Sequence, residues 1–239
     1  MVAAPKKQLL PSTKDLPCSD DTPVENEEQN LLPNLLLILL THLWEDRMDW
    51  FFGVDMAVYH TTGISPKVPV VPDGFLSVGV ERRRDGETRR SYAVWEEKEI
   101  VPQLALEMVS HKPGGEYDKK KEIYAKLGVL YYVIYNPKYW QRERHQPFEI
   151  YKLEDNVYQL QIGEPYWMPE INLGIGRWNG LFGGLPQEML TWYDECGNRH
   201  ISKDEQATLR AETEAKQRKR LEDYIRSQGL DPNNLPEQP

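Results

Sequence analysis

Glu107 interrupts the apolar run Leu104-Ala105-Leu106-Glu107-Met108-Val109. A carboxylate set in such a run is costly unless it is paired or holds a cation. Close behind come Gly114-Gly115-Glu116, the lysine-rich stretch Lys119-Lys120-Lys121, and Tyr124. A second carboxylate, Asp73, follows Val70-Val71-Pro72 at the mouth of another apolar segment. Two acids and a lysine on a strand, helix, strand scaffold are the parts of a magnesium-dependent phosphodiesterase. Charged oxygen donors suit a hard cation. The cation would polarise a phosphodiester and activate water, and an ammonium would offset developing charge on the phosphate.

Each of these residues also has an ordinary structural account. Glu107 could pair with Lys98 or Lys120 at a strand end. Pro72-Asp73-Gly74 is first of all a turn sequence. Glu116, Lys120 and Tyr124 follow at i, i+4 and i+8, so on one continuous helix they share a face. That arrangement fits a surface Glu-Lys pair with an exposed tyrosine, or an ammonium aimed at a scissile phosphate. Within the strand, Leu104, Leu106 and Met108 share one side, and Ala105, Glu107 and Val109 the other. Both sides are largely apolar, as in a central strand covered on both faces.

The elements that must position these groups follow from periodicity and breakers. Helical spacing of Leu32, Leu35, Leu36, Leu39, Leu40 and Leu43 predicts a helix over 23–47, with Pro33 marking its first turn or a kink. Strands are expected over 50–60, 68–80, 91–97, 104–110 and 130–136. A helix is expected over 116–127, closed by Gly128. A hairpin follows, 148–153 with 157–162 around Glu154-Asp155-Asn156, and 171–178 and 189–194 close the body. From Lys203 to about Ser227 the composition is that of a solvated helix, read as a short docking or dimer helix. The expected organisation is a disordered tail over 1–24, one domain over 25–200, and a C-terminal helix and tail over 201–239. The fold class is α/β, or α+β, with a mixed sheet.

Bulk properties narrow the function classes. The 239 residues carry a formal net charge of −9, which argues against non-specific duplex binding as a default. Two basic patches temper it: Arg82, Arg83, Arg84, Arg89 and Arg90 around a turn, and Lys119, Lys120, Lys121 and Lys126 along the helix. The arginines could grip phosphates or pair with the acidic surface. Six of the tryptophans, Trp44, Trp50, Trp140, Trp167, Trp178 and Trp192, read as core and dimer contacts rather than base-stacking platforms. Cys18 and Cys196 make neither a metal motif nor a disulfide framework, so a reducing, cytoplasmic setting is expected. The leucine run near residue 35 is too short for a membrane span. Gly-rich phosphate loops, nucleophile elbows and HExxH helices are missing from the sequence.

Taken in order, Pro72-Asp73, Glu107-Met108-Val109-Ser110, Glu116-x3-Lys120-x3-Tyr124 and Gly128-Val129-x-Tyr131-Tyr132 resemble the Uma-two type of restriction endonuclease, in the PD-(D/E)XK nuclease superfamily. The similarity runs over roughly residues 45–195. It implies a restriction-endonuclease-like core with a mixed sheet flanked by helices, a magnesium or manganese site, DNA as substrate, and a homodimer. By that resemblance Asp73 and Glu107 are the metal-binding acids, Lys120 the catalytic lysine, Glu116 an acid that orients it, and Asp55 an additional metal-binding acid. The superfamily lysine normally stands two residues after the strand acid. Val109 occupies that place here, so Lys120 is a displaced substitute. The rival reading is a nuclease fold that no longer cuts and serves as a binding or oligomerisation module.

Overall fold

The computed structural model describes residues 10–18, 26–112, 114–182 and 184–232. The chain divides after His200 into two units.

The first unit is built on a six-stranded sheet. Its strands are β1 (Trp50–Val54), β3 (Gly74–Val78), β5 (Leu104–Met108), β6 (Tyr131–Tyr135), β7 (Phe148–Glu154) and β8 (Val157–Leu160), in the order β1-β3-β5-β6-β7-β8. All neighbours are antiparallel except β5 and β6, which run parallel. That parallel pair requires a crossover, supplied by the helix α2 (Lys119–Leu127). A short parallel pair, β2 (Val58–Tyr59) with β4 (Tyr92–Ala93), stands apart. A second antiparallel sheet comprises β9 (Tyr166–Met168), β10 (Leu173–Phe182) and β11 (Leu185–Tyr193). The architecture is therefore mixed α/β around a central mixed sheet.

Every residue of β5 and β6 is buried, because both faces of the sheet are covered. On one face Leu104, Leu106 and Met108 meet the helix α1 (Glu27–Leu43) and the β10–β11 ribbon through Leu36, Leu40, Leu190 and Trp192. Trp192 fixes that layer by donating its indole N–H to the Leu36 carbonyl at 2.9 Å. On the other face Ala105 and Val109 pack with Tyr124, Leu127, Tyr132 and Ile134 under α2. The alternation within β5 thus sends Glu107 to the α2 side. Gly128 ends α2 in the left-handed conformation at φ 91°, where an L side chain would be strained.

Several elements differ from expectation. The α1 helix starts at Glu27, capped by the Asn26 side chain, and Pro33 lies well inside it rather than at its first turn. The 50–60 strand breaks at Asp55, which takes φ 47° and turns the chain from β1 to β2. The 68–80 strand shortens to β3, preceded by an isolated bridge between Val58 and Val70. The 91–97 strand gives way after Ala93 to a single 3₁₀ turn, Val94–Glu96. Neither β9 nor the short helix α3 (Trp140–Glu143) has a periodic signal long enough to read.

The tail expected to be disordered over 1–24 lies outside the described residues at 1–9 and 19–24. Its described part, 10–18, packs on the body: Leu16 is buried, Trp95 donates to the Pro11 carbonyl at 3.0 Å, and Tyr59 donates to the Pro17 carbonyl at 2.7 Å. These are tertiary contacts of an irregular segment, which leave no periodic trace. Cys18 and Cys196 are free, exposed thiols. No helix among the described residues is long and apolar enough to cross a membrane.

The second unit is the helix α4 (Lys203–Ser227), capped by the Ser202 hydroxyl, which accepts the Glu205 N–H at 3.1 Å.

Candidate active site

Three strand ends and one helix build the site. The β5 strand carries Glu107, which has no exposed surface. The α2 helix turns Lys120, Tyr124 and Leu127 toward the sheet. Lys120 Nζ donates to Glu107 Oε2 at 2.7 Å, and Tyr124 OH donates to Glu107 Oε1 at 2.6 Å. Lys98, the other basic partner considered, sits with φ 57° in the loop after the 3₁₀ turn and makes no ion pair with Glu107. Asp73 stands just ahead of β3, half-buried, and its Oδ2 accepts the Met108 N–H at 2.6 Å. Adjacent backbone positions on two neighbouring strands therefore aim Asp73 and Glu107 at one locality.

The charges of these groups act on one another. Burial pushes the Glu107 carboxyl up to about 8; Lys120 opposes that rise, while the Asp73 charge adds to it. Burial likewise pushes Asp73 up to about 6, against the Met108 amide and the Lys120 ammonium, with the charges of Asp55 and Glu116 raising it further. For Lys120 burial favours the neutral amine, but Glu107, Asp73 and Glu116 prevail and raise it. One ammonium thus faces an excess of carboxylates. Buried acids raised above their ordinary values beside a specific charge partner are a recurrent mark of functional sites.

The two remaining candidate residues stand differently. Glu116 is buried but precedes α2, whose first helical residue is Lys119, so it does not share a continuous helical face with Lys120 and Tyr124. Its Oε2 accepts the Gly114 N–H at 3.0 Å and its carbonyl accepts Tyr132 OH at 2.7 Å. A Cβ at position 114 would press on the Glu116 carboxylate, so a side chain there would have to displace it. Glu116 reaches Lys120 through charge rather than a hydrogen bond. Asp55 is exposed in the turn after β1, and its main-chain N–H donates to the Asp73 carbonyl at 3.2 Å. Among the described residues no three His, Cys, Asp or Glu side chains gather into a ready metal cage.

Tyr124 belongs to the site rather than to the surface. An exposed tyrosine was one account of it, whereas its side chain is buried and holds Glu107. The signal was present in the stripe Lys120, Tyr124, Leu127 at i, i+4, i+7 on a helix only nine residues long.

The arginine patch lies elsewhere and is largely self-contained. Arg89 makes two 2.8 Å bonds to the Glu97 carboxylate, Arg84 pairs with Glu96, and the Arg82 guanidinium lies 3.6 Å over the Trp50 ring. Of the two accounts of these arginines, pairing with acidic side chains describes Arg84 and Arg89, while Arg82 rests on an aromatic ring. Lys121, for its part, lies 3.5 Å over the Tyr151 ring.

Residues 21–181 match the model of the Uma-two family, described as "Putative restriction endonuclease". The chain belongs to that family. No curated protein matches it. A crystal structure of a "putative nuclease belonging to DUF820" from Anabaena variabilis ATCC 29413 is similar at 12% identity and a TM-score of 0.43, over 62% of this chain and 74% of that one. The Uma-two assignment covers every candidate residue, from Asp55 to Tyr124.

Proposed function

We propose that this Uma-two protein is a divalent-cation-dependent DNA endonuclease that hydrolyses phosphodiesters at the Asp73–Glu107–Lys120 site. The observation that carries the proposal is the 2.7 Å approach of Lys120 to Glu107 from a separate element. Val109 leaves the usual lysine position empty of charge, and α2 delivers an ammonium to the same acid. Two carboxyls raised chiefly by burial suit a hard divalent cation as donors once they ionise. Asp73 and Glu107 would hold magnesium or manganese, with water in the remaining positions, and the bound ion would polarise the phosphodiester and activate the attacking water.

The protein's own groups do the rest. Lys120, anchored on Glu107, presents positive charge to the phosphate as negative charge develops. Tyr124 holds the second Glu107 oxygen, so the carboxylate is fixed in rotation by Lys120 on one side and Tyr124 on the other. Glu116 keeps the Lys120 ammonium charged from a distance. Cation binding must release the protons held by Asp73 and Glu107, so affinity should rise as pH climbs from about 6 to about 8. Pairing of two copies into a homodimer belongs to the same proposal and is read by sedimentation.

Nicking of supercoiled plasmid in magnesium or manganese tests the function. Wild type should nick, while Glu107→Ala and Lys120→Ala should each lose at least about a hundredfold in rate, as expected for removing a group that stabilises transition-state charge. Wild-type protein inert with both ions across a range of salt would leave the non-cutting binding module, which the acidic net charge and Val109 favour.

A further inference from the structure

A groove of about 440 Å³ flanks the site on the outer side of α2. One wall is the loop that follows β2, with Ile64, Val68 and Pro69; the other is α2, with Lys119, Ile123 and Lys126. Both walls continue along the chain to residues of the candidate active site. From Pro69 the loop continues to Asp73, a reach of at most about 14 Å for four residues. Lys119 is the chain neighbour of Lys120. Whatever lies in the groove therefore lies within a nucleotide or two of the proposed scissile phosphate.

The lining is uncommon for a protein surface. Ile64 is fully exposed at the loop tip and Val68 is more than half exposed, an apolar edge turned outward beside two lysines. The lysines are seven residues apart on α2, about 10 Å along its axis, and so bracket the groove rather than crowd one point. Glu122 lies between them, with its carboxylate 3.8 Å from Lys126, and tempers the charge without cancelling it. At the loop root the His60 ring pairs with the Thr62 hydroxyl at 2.8 Å, which fixes where the loop departs.

Resting on the nuclease reading above, we propose that this groove holds an unpaired nucleotide next to the cleaved bond, so that the substrate class is nucleic acid with a single-stranded segment at the cut. The volume is that of a small-molecule site, enough for one splayed base and far too small for a duplex. Apolar side chains receive the base and the flanking lysines take phosphates, the division of labour of single-strand grooves. The acidic net charge agrees, because the grip is local and needs no broad basic face.

The test is fluorescence anisotropy of full-length protein with labelled oligothymidylate and with a hairpin duplex of equal length, in EDTA and in magnesium. Oligothymidylate should bind at least tenfold more tightly than the hairpin. Combining Lys119→Gln with Lys126→Gln should weaken it and reduce the slope of log affinity against log salt by about 1.4, two phosphate contacts at about 0.7 each. Ile64→Ser should weaken oligothymidylate about fivefold and leave the slope unchanged. Oligouridylate binding with the same dependences supports the groove equally, since the unpaired strand is what it recognises. Equal affinity for strand and hairpin, or variants that bind like wild type, would overturn the inference. Plasmid nicking that persists alongside such a result removes the groove alone. Strand binding with these dependences in a protein that never nicks keeps the groove and removes the catalytic reading.

Discussion

Arg89 and Lys120 are both cations set against carboxylates in one fold, yet their surroundings are built to opposite ends. Around Arg89 the charges match. Its side chain is 1% exposed, both Glu97 oxygens meet its fork, and the Glu81 and Arg82 carbonyls accept two further N–H groups at 2.7 and 3.3 Å. Next to it, burial works to raise Glu96, but Thr13 and Arg84 hold that carboxyl below its ordinary value. Around Lys120 the acids outnumber the cation, and Asp73 and Glu107 are held well above theirs. A completed ion network is a way to order a loop and a tail segment. An incomplete one leaves its carboxyls raised.

The largest expected effect distinguishes the two directly. Arg89→Ala leaves the buried Glu97 only the Arg84 guanidinium at 3.5 Å and should cost about 3 kcal/mol of stability, measured by urea denaturation, with cation binding unchanged in the folded protein. Lys120→Met, which keeps the stem and removes the charge, should cost at least about a hundredfold in nicking. Its stability should change much less than that of Arg89→Ala, because Glu107 can answer the loss by keeping its proton. Equal destabilisation by the two substitutions would mean that the lysine site is simply another structural ion pair.

How far this contrast can be read from the chain depends on distance along it. The embedded Glu107, the Lys120 stripe and the Gly128 cap are local patterns, so the strand, helix, strand unit and the acid–lysine approach are legible in about thirty residues of sequence. The placement of Asp73 is less so. Pro-Asp-Gly reads as a turn, and only the pairing of β3 with β5 brings its carboxylate to the Met108 amide. Arg89 with Glu97 was open because arginines around a turn look alike whether they bind phosphate or fold back. The docking of residues 10–18 carries no local signature, since an irregular segment is ordered by partners far away in sequence. Glu116 shows the limit of helical spacing: a helix that starts at Lys119 removes it from the shared face.

A smaller effect lies in the pH dependence of stability. The carboxyl of Glu107 is raised, so the folded protein keeps a proton that the unfolded chain gives up near its ordinary value. Stability from this group is therefore greatest below about pH 4.5 and declines as pH rises toward about 8. Glu107→Gln cannot ionise, and its amide can turn its oxygen to Lys120 and its NH₂ to Tyr124. The melting temperature of this variant minus that of wild type should grow from pH 5 to pH 8.5 in favour of the variant, while cation binding is lost. A difference that stays flat over that range would show Glu107 ionised throughout, fully compensated by Lys120, and the contrast with Arg89 would disappear.

The smallest effect decides what Asp55 is. Its carboxyl raises Asp73 through charge, and its main-chain N–H, not its side chain, holds the Asp73 carbonyl. Asp55→Asn keeps that backbone bond and deletes only the charge. If Asp55 is a background charge in an exposed turn, the Asp73 carboxyl should titrate slightly lower, and calorimetric magnesium affinity near pH 7 should change by no more than a few fold. If instead its oxygen enters the coordination of the ion, deleting a charged donor from a hard-cation site should weaken binding by ten- to a hundredfold. The first outcome keeps the site as two acids from adjacent strands served by one helical lysine. The second adds the turn after β1 to it and makes the shortage of positive charge around Lys120 larger still.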